Sequence, residues 1–129
     1  MSSEAPPWWT ASLAEACRDV AQRSLPNEAC GLLVREKQDV QLWPLSATAT
    51  ATRVEALPEA LVRASYELVD AGGRSLGTFH SHPDGSARFS KRDEGLLAWG
   101  EWHVVAYRIG SSWSFTFGRR SGATPEKTS

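Results

Sequence analysis

The sequence has few cysteines, little net charge and no long apolar run. Two cysteines, Cys17 and Cys30, are too few for a disulfide framework and suit a reducing compartment. A net charge of −1, with both signs interspersed, argues against an electrostatically driven nucleic-acid binder. No apolar stretch is long enough to span a bilayer, and residues 1–7 lack the basic-then-apolar pattern of a secretory signal. These absences predict a soluble, cytoplasmic protein with neither a nucleic-acid nor a membrane partner.

The chain has the size of one domain and contains no internal repeat. Its 129 residues can bury a sizeable core without a second domain. Residues 1–9 are Pro-rich and are predicted to form a flexible lead, although Trp8 and Trp9 could pack on the domain or mark a contact surface. Residues 119–129 are polar, contain Gly and Pro, and are predicted to be a disordered tail. The predicted domain therefore covers residues 10–118.

Two stretches carry the spacing and end signals of helices. The first begins at Thr10, a suitable N-cap, and should stop near Leu25–Pro26. The second begins around Pro58, which suits a first helical turn, and should end before Gly72. A third, short helix is predicted to open at Ser90.

Strands are predicted between these helices and after them. Their ranges are 29–34, 40–45 and 75–82, followed by a closing hairpin of 101–108 and 112–117 that turns at Gly110–Ser111. Arg35 to Asp39 is predicted to be a polar turn, and residues 46–52 an irregular connection. Mixed helices and strands in this order predict an α/β domain.

His80 and His82 stand two residues apart on the predicted strand 75–82. Their imidazoles should therefore project from one face, and Pro83 favours extended geometry for the residue before it. A carboxylate from the following turn, Asp93, would complete three zinc ligands with a fourth position open for water, as in catalytic zinc sites. The alternative interpretation is that the histidines are structural and that Ser90 and Asp93 only cap a helix.

The joint pattern is more specific than its parts. His80-x-His82-Pro83, six residues, then Ser90-x-x-Asp93, with Glu28 upstream of a Gly-Leu-Leu strand, resembles the signature of the JAMM (MPN+) zinc metallopeptidases. The resemblance implies the MPN (cytidine-deaminase-like) fold, a curved mixed β-sheet flanked by helices. It implies Zn²⁺ held by His80, His82 and Asp93, Glu28 as the general base, and Ser90 as the hydrogen-bond donor to the oxyanion.

The resemblance also implies an activity. JAMM enzymes cut peptide or isopeptide bonds after the C-terminal tail of ubiquitin or ubiquitin-like proteins, and bacterial members process sulfur-carrier proteins. A deubiquitinase-like isopeptidase acting on a Gly-Gly tail is therefore expected. The connection between Asp93 and Glu101 is too short for insertions that grip a second ubiquitin, which favours a compact prokaryotic-type member. A homodimer is one possible oligomeric state.

Two other functions and three other residues complete the predictions. The alternatives are a non-catalytic MPN scaffold that binds a partner and a zinc amidohydrolase acting on a small amide. Cys30 lies in an apolar strand and is interpreted as an inert thiol rather than a nucleophile. His103 matches no signature position and is interpreted as structural. Ser81 should point away from the histidines and pack or bond locally.

Overall fold

The computed structural model describes residues 4–45, 47–49, 54–85 and 100–119. Two helices and seven strands lie within these ranges. In chain order they are α1 (Ala11–Ser24), β1 (Cys30–Glu36), β2 (Asp39–Pro44), β3 (Ala47–Ala49), β4 (Val54–Ala56), α2 (Pro58–Ala71), β5 (Arg74–His82), β6 (Trp102–Ile109) and β7 (Ser112–Arg119).

Five of the strands form one mixed sheet in the order β2-β1-β5-β6-β7. β5 pairs with β6 in parallel, and the other neighbours are antiparallel. β5 is therefore the central strand, as predicted. A mixed sheet flanked by helices confirms the predicted fold class.

Helix α1 covers one face of the sheet. The Thr10 side chain accepts a hydrogen bond from the Leu13 amide at 3.1 Å, which caps the helix as predicted. The buried side of α1 packs on apolar side chains of β1, β5, β6 and β7. This core cluster contains Leu13, Cys17, Ala21, Leu33, Phe79, Val104, Ala106, Trp113 and Phe117.

Helix α2 packs on the opposite face. Its Ala64 and Leu68 contact Leu32 and Val34 of β1 in a second core cluster. Leu32 and Leu33 are consecutive on a strand, so they point to opposite faces, and each faces a different helix. The predicted end of α2 is confirmed, since Gly72 caps it in the left-handed conformation with φ of 67°.

Close approach between β5 and β6 depends on Gly77. A Cβ placed there would lie 2.1 Å from the Trp102 carbonyl oxygen, so no side chain fits without moving a strand. Gly77 lies opposite Trp102 in the parallel register, which continues through His80 opposite Val105. The glycine thus sets the spacing of the two strands that lead to the candidate site.

The structure departs from the predicted elements in two places. Arg35 and Glu36 belong to β1 rather than to a turn, because the hairpin reverses over Lys37 and Gln38, with Lys37 at φ of 56°. Part of the connection predicted to be irregular forms a strand, since β3 pairs with β4, which follows the connection, in a separate two-stranded sheet. Ala47-Thr48-Ala49 does alternate apolar and polar residues, but the prediction failed because alanine is a weak strand former and these small side chains have little surface to bury.

The N-terminal tryptophans pack on the domain. Trp9 contacts Phe115 and Phe117 edge-on, with ring centroids 5.2 Å apart in each pair, and Trp8 lies edge-on to Trp102 at 6.3 Å. This resolves the alternative that the sequence left open in favour of packing. Neither described helix combines the length and the apolar character needed to cross a membrane.

Candidate metal centre

Strand β5 places two imidazoles on one face near its carboxyl end. His80 is fully buried and His82 is 6% exposed. Their Nε2 atoms lie 2.6 Å apart, and the ring centroids are separated by 4.5 Å. Because residues two apart on a strand share a face, both rings direct the same nitrogen to one point, as the spacing predicted.

Glu28 meets the histidines from a distant part of the sequence. One carboxylate oxygen of Glu28 and one ring nitrogen from each of His80 and His82 lie within 4.8 Å of one another. Glu28 is itself buried, with 7% of its surface exposed. It precedes β1 by two residues, so its side chain shares a face with Cys30, which lies opposite His80 in the register.

Ser81 holds the segment that carries Glu28. Its hydroxyl accepts a hydrogen bond from the Ala29 amide at 2.8 Å, and its own amide donates to the Ala29 carbonyl at 3.0 Å. Ser81 points away from the histidines and is packed in the interior, as predicted, but its hydrogen bond is not local in sequence. Its partner lies 52 residues away, because the antiparallel pairing of β1 with β5 brings Ala29 alongside.

A third histidine lies behind the pair. His103 on β6 is fully buried, and its ring centroid is 4.8 Å from that of His80. The Thr78 hydroxyl is hydrogen-bonded to His103 Nδ1, and these two residues are directly opposite in the parallel register. No local sequence pattern predicts this contact. It depends on the register between β5 and β6, which the sequence does not show. His103 is structural in its packing, yet it contacts the candidate site.

Cys30 lies on the same sheet face and is held in its thiol form. Burial raises the pKa of Cys30 to about 11, and the nearby Glu28 carboxylate adds to the increase. Burial likewise raises the pKa of Cys17 to about 12. Neither cysteine is disulfide-bonded. Both are buried and protonated at neutral pH, which supports the interpretation of Cys30 as an inert thiol.

The remaining predicted site residues, Ser90 and Asp93, lie outside the described residues, as does the predicted third helix. The described donors are two imidazoles and one carboxylate. Imidazole nitrogen and carboxylate oxygen are ligand types that zinc accepts, and two histidines with one acid form a known catalytic zinc set. The cluster therefore fits a divalent metal ion, with Glu28 close enough to act as a ligand or as a base beside it.

The chain is similar to a known protein family and to several solved structures. Residues 10–118 match the family model of the prokaryotic homologues of the JAB domain. No curated protein gives a match. Among solved structures, a protein from Desulfitobacterium hafniense is 26% identical, with a TM-score of 0.68 over 84% of this chain and 80% of that one.

Two further structures show the same fold at lower identity. A JAB1/MPN domain protein from Archaeoglobus fulgidus is 22% identical, with a TM-score of 0.54 over 85% of this chain and 86% of that one. A structure described as a JAMM metalloprotease-like zinc site in the proteasome and signalosome is also 22% identical, with a TM-score of 0.55 over 87% and 85%. The chain therefore belongs to the prokaryotic JAB-domain family and has the JAB/MPN fold.

Proposed function

We propose that this protein is a zinc-dependent metallopeptidase that hydrolyses the peptide or isopeptide bond after the C-terminal tail of a ubiquitin-like or sulfur-carrier protein. The observation that carries the proposal is the position of Glu28. A carboxylate from the segment just before β1 lies beside two imidazoles from the end of β5, and all three side chains are buried. Burying polar groups costs free energy. A scaffold that only binds a partner would gain nothing from this convergence in return.

Zinc is the proposed cofactor. His80 and His82 would hold it through their Nε2 atoms, and Asp93 is the third ligand that the signature supplies. When bound, the ion acts as a Lewis acid that polarises the scissile carbonyl and lowers the pKa of a water molecule from 15.7 to about 7. Ser90, from the same signature, is the proposed hydrogen-bond donor to the developing oxyanion.

Glu28 is the proposed general base and acid. It would take a proton from the attacking water and return it to the departing amine, which requires a carboxylate within hydrogen-bond reach of both. The paired hydrogen bonds between Ala29 and Ser81 restrict the backbone next to Glu28. A base held in this way needs little reorganisation at the moment of proton transfer.

The proposed substrate rests on the family rather than on a contact. JAMM enzymes act on extended tails ending in Gly-Gly, and such a tail could add to a sheet edge by main-chain hydrogen bonds. In the five-stranded sheet, β2 and β7 are the edge strands. A processed ubiquitin-like or sulfur-carrier protein is thus the partner that this proposal names.

The experiment combines metal analysis with a cleavage assay. Protein purified without chelator should contain zinc and cleave a sulfur-carrier protein fused through its Gly-Gly tail to a second protein. Glu28→Gln should retain the zinc and lower kcat by about 10²–10⁴-fold, the contribution typical of a general acid–base group. Glu15→Gln is the matched control, because Glu15 is exposed on α1.

Other outcomes would refute the proposal in different ways. Protein without zinc and without cleavage would indicate a scaffold that only binds a partner. Turnover of small amides with no cleavage of any protein tail would indicate an amidohydrolase. Full activity of Glu28→Gln would remove Glu28 as the base.

A further inference from the structure

A second concave region lies at the other end of β5. The cluster of Glu28, His80 and His82 is at the carboxyl end of the strand, whereas this region surrounds its first residues, Arg74 to Leu76. Eight steps along a strand separate Arg74 from His82, or roughly 26 Å. We call it the arginine pocket; it has a volume of about 470 Å³ and is lined by Trp8, Arg35, Arg74, Glu101, Trp102 and Arg119, among others.

The arginine pocket carries an excess of positive charge. It contains three guanidinium groups and one carboxylate, and that carboxylate, from Glu101, forms an ion pair with Arg119. Arg35 and Arg74 lie directly opposite each other on β1 and β5. Among the residues that the structure describes, no carboxylate forms an ion pair with either of them. The pocket therefore has a net charge of +2 in a chain whose net charge is −1.

The pairing of Arg35 with Arg74 is unfavourable by itself. Like charges directly opposite on neighbouring strands destabilise a sheet. The cost falls when an anion lies between the two guanidinium groups, because each planar fork can donate two hydrogen bonds to one oxyanion. The arrangement thus favours a ligand with several acidic oxygens.

The wall beside these arginines is apolar. Trp8 and Trp102 meet edge-on with centroids 6.3 Å apart, and the Arg119 guanidinium lies 5.3 Å from the Trp102 ring centroid. Leu76 adds a buried aliphatic surface to the same pocket. Ligand pockets commonly combine such apolar walls with a few charged groups that orient the ligand.

We propose that the arginine pocket binds a small phosphate monoester with a flat apolar body. A phosphate monoester is close to a dianion above its second pKa of about 6, which matches the net charge of +2. The phosphate would lie between Arg35 and Arg74, and the apolar body would contact the indoles of Trp8 and Trp102. This site does not depend on the metal centre or on the proposed peptidase activity.

The test uses phenyl phosphate as the probe at pH 7.5, with inorganic phosphate and phenol as its two halves. Titration is followed by the indole N–H signals in NMR spectra and by calorimetry. Phenyl phosphate should shift the signals of Trp8 and Trp102, and each half should bind at least about tenfold more weakly, because each makes only one of the two sets of contacts.

Variants show which residues bind the probe. Arg35→Gln and Arg74→Gln should each weaken phenyl phosphate binding by roughly tenfold or more, since charge-assisted hydrogen bonds are the strong ones. Arg23→Gln is the control, because Arg23 is exposed on α1 and pairs with Asp19 at 2.9 Å. Equal weakening in all three variants would overturn the proposal. So would phenol binding as tightly as phenyl phosphate, no binding of phenyl phosphate, or a response confined to the histidine signals.

Discussion

The two faces of strand β5 bury different kinds of side chain. One face carries Thr78, His80 and His82, and the other carries Phe79 and Ser81. All five are buried, with at most 6% of each exposed. The first face collects titratable and hydroxyl groups around the candidate metal centre, whereas Phe79 belongs to the core cluster under α1.

The difference shows how one strand can hold a polar site in a stable fold. Buried polar groups lower stability unless they are hydrogen-bonded or bound to a metal. The apolar face supplies the favourable burial that offsets this cost, since Phe79, Leu33 and Val104 are fully buried together. Ser81 is the exception, because it lies on the apolar face yet contacts the segment that carries Glu28.

A change on the histidine face should have the largest effect on metal binding. His80→Ala removes one of the two converging nitrogens, so zinc affinity should fall by more than the roughly 10–100-fold that loss of an outer-shell contact causes. Zinc content after dialysis against a competing chelator provides the measurement. A variant that retained the zinc of the unaltered protein would show that the two faces do not differ in this way.

A change on the opposite face should affect stability instead. Phe79→Ala is expected to lower the free energy of unfolding by about 3–5 kcal/mol, because it leaves a cavity in a fully packed core. Urea denaturation measures the loss. Val69→Ala is the control, since Val69 is 78% exposed and its truncation should cost within about 0.5 kcal/mol. Similar losses for both variants would contradict the assignment of Phe79 to the core.

Ser81→Ala tests the residue that connects the faces. It leaves the buried Ala29 amide without its 2.8 Å acceptor, so it should cost about 1–3 kcal/mol of stability. If Ser81 positions Glu28, kcat should fall with zinc content unchanged, and Ser81→Thr should restore it. Ser65→Ala removes a hydroxyl that bonds within α2 and should leave kcat unaltered. A stability loss without any change in kcat would make Ser81 purely structural.

The smallest expected effect concerns Cys30 and pH. Its pKa of about 11 in the folded protein exceeds its ordinary value of 9.0, so folding favours the protonated thiol. The stabilisation is complete below pH 9 and is lost as the pH rises toward 11. Between pH 8 and 10.5 the free energy of unfolding of the unaltered protein should fall by about 1–2 kcal/mol more than that of Cys30→Ala. Equal losses, measured by urea denaturation at both pH values, would contradict the elevated pKa.

The sequence predicted the elements whose signals are local. Thr10 capping α1, Gly72 ending α2 and the Gly110–Ser111 turn each depend on neighbouring residues, and each is confirmed. The shared face of His80 and His82 is also local, because it follows from strand periodicity.

Contacts between distant strands could not be predicted in the same way. The Ser81–Ala29 hydrogen bonds and the position of His103 depend on the registers of β5 with β1 and β6. Periodicity shows which side a residue faces, but not which residue of another strand lies opposite. The Arg35–Arg74 pair has an additional cause, since Arg35 is predicted to lie in a turn and therefore to have no strand partner.

Glu28 and His80 are 52 residues apart in the sequence, and this separation links metal uptake to folding. An unfolded chain keeps His80 near His82 but loses Glu28, so it can offer only a fragment of the donor set. Any ion that prefers the complete set binds the native state selectively and raises its melting temperature with concentration. Thermal melting against added zinc would then report on the assembly of this site without a substrate.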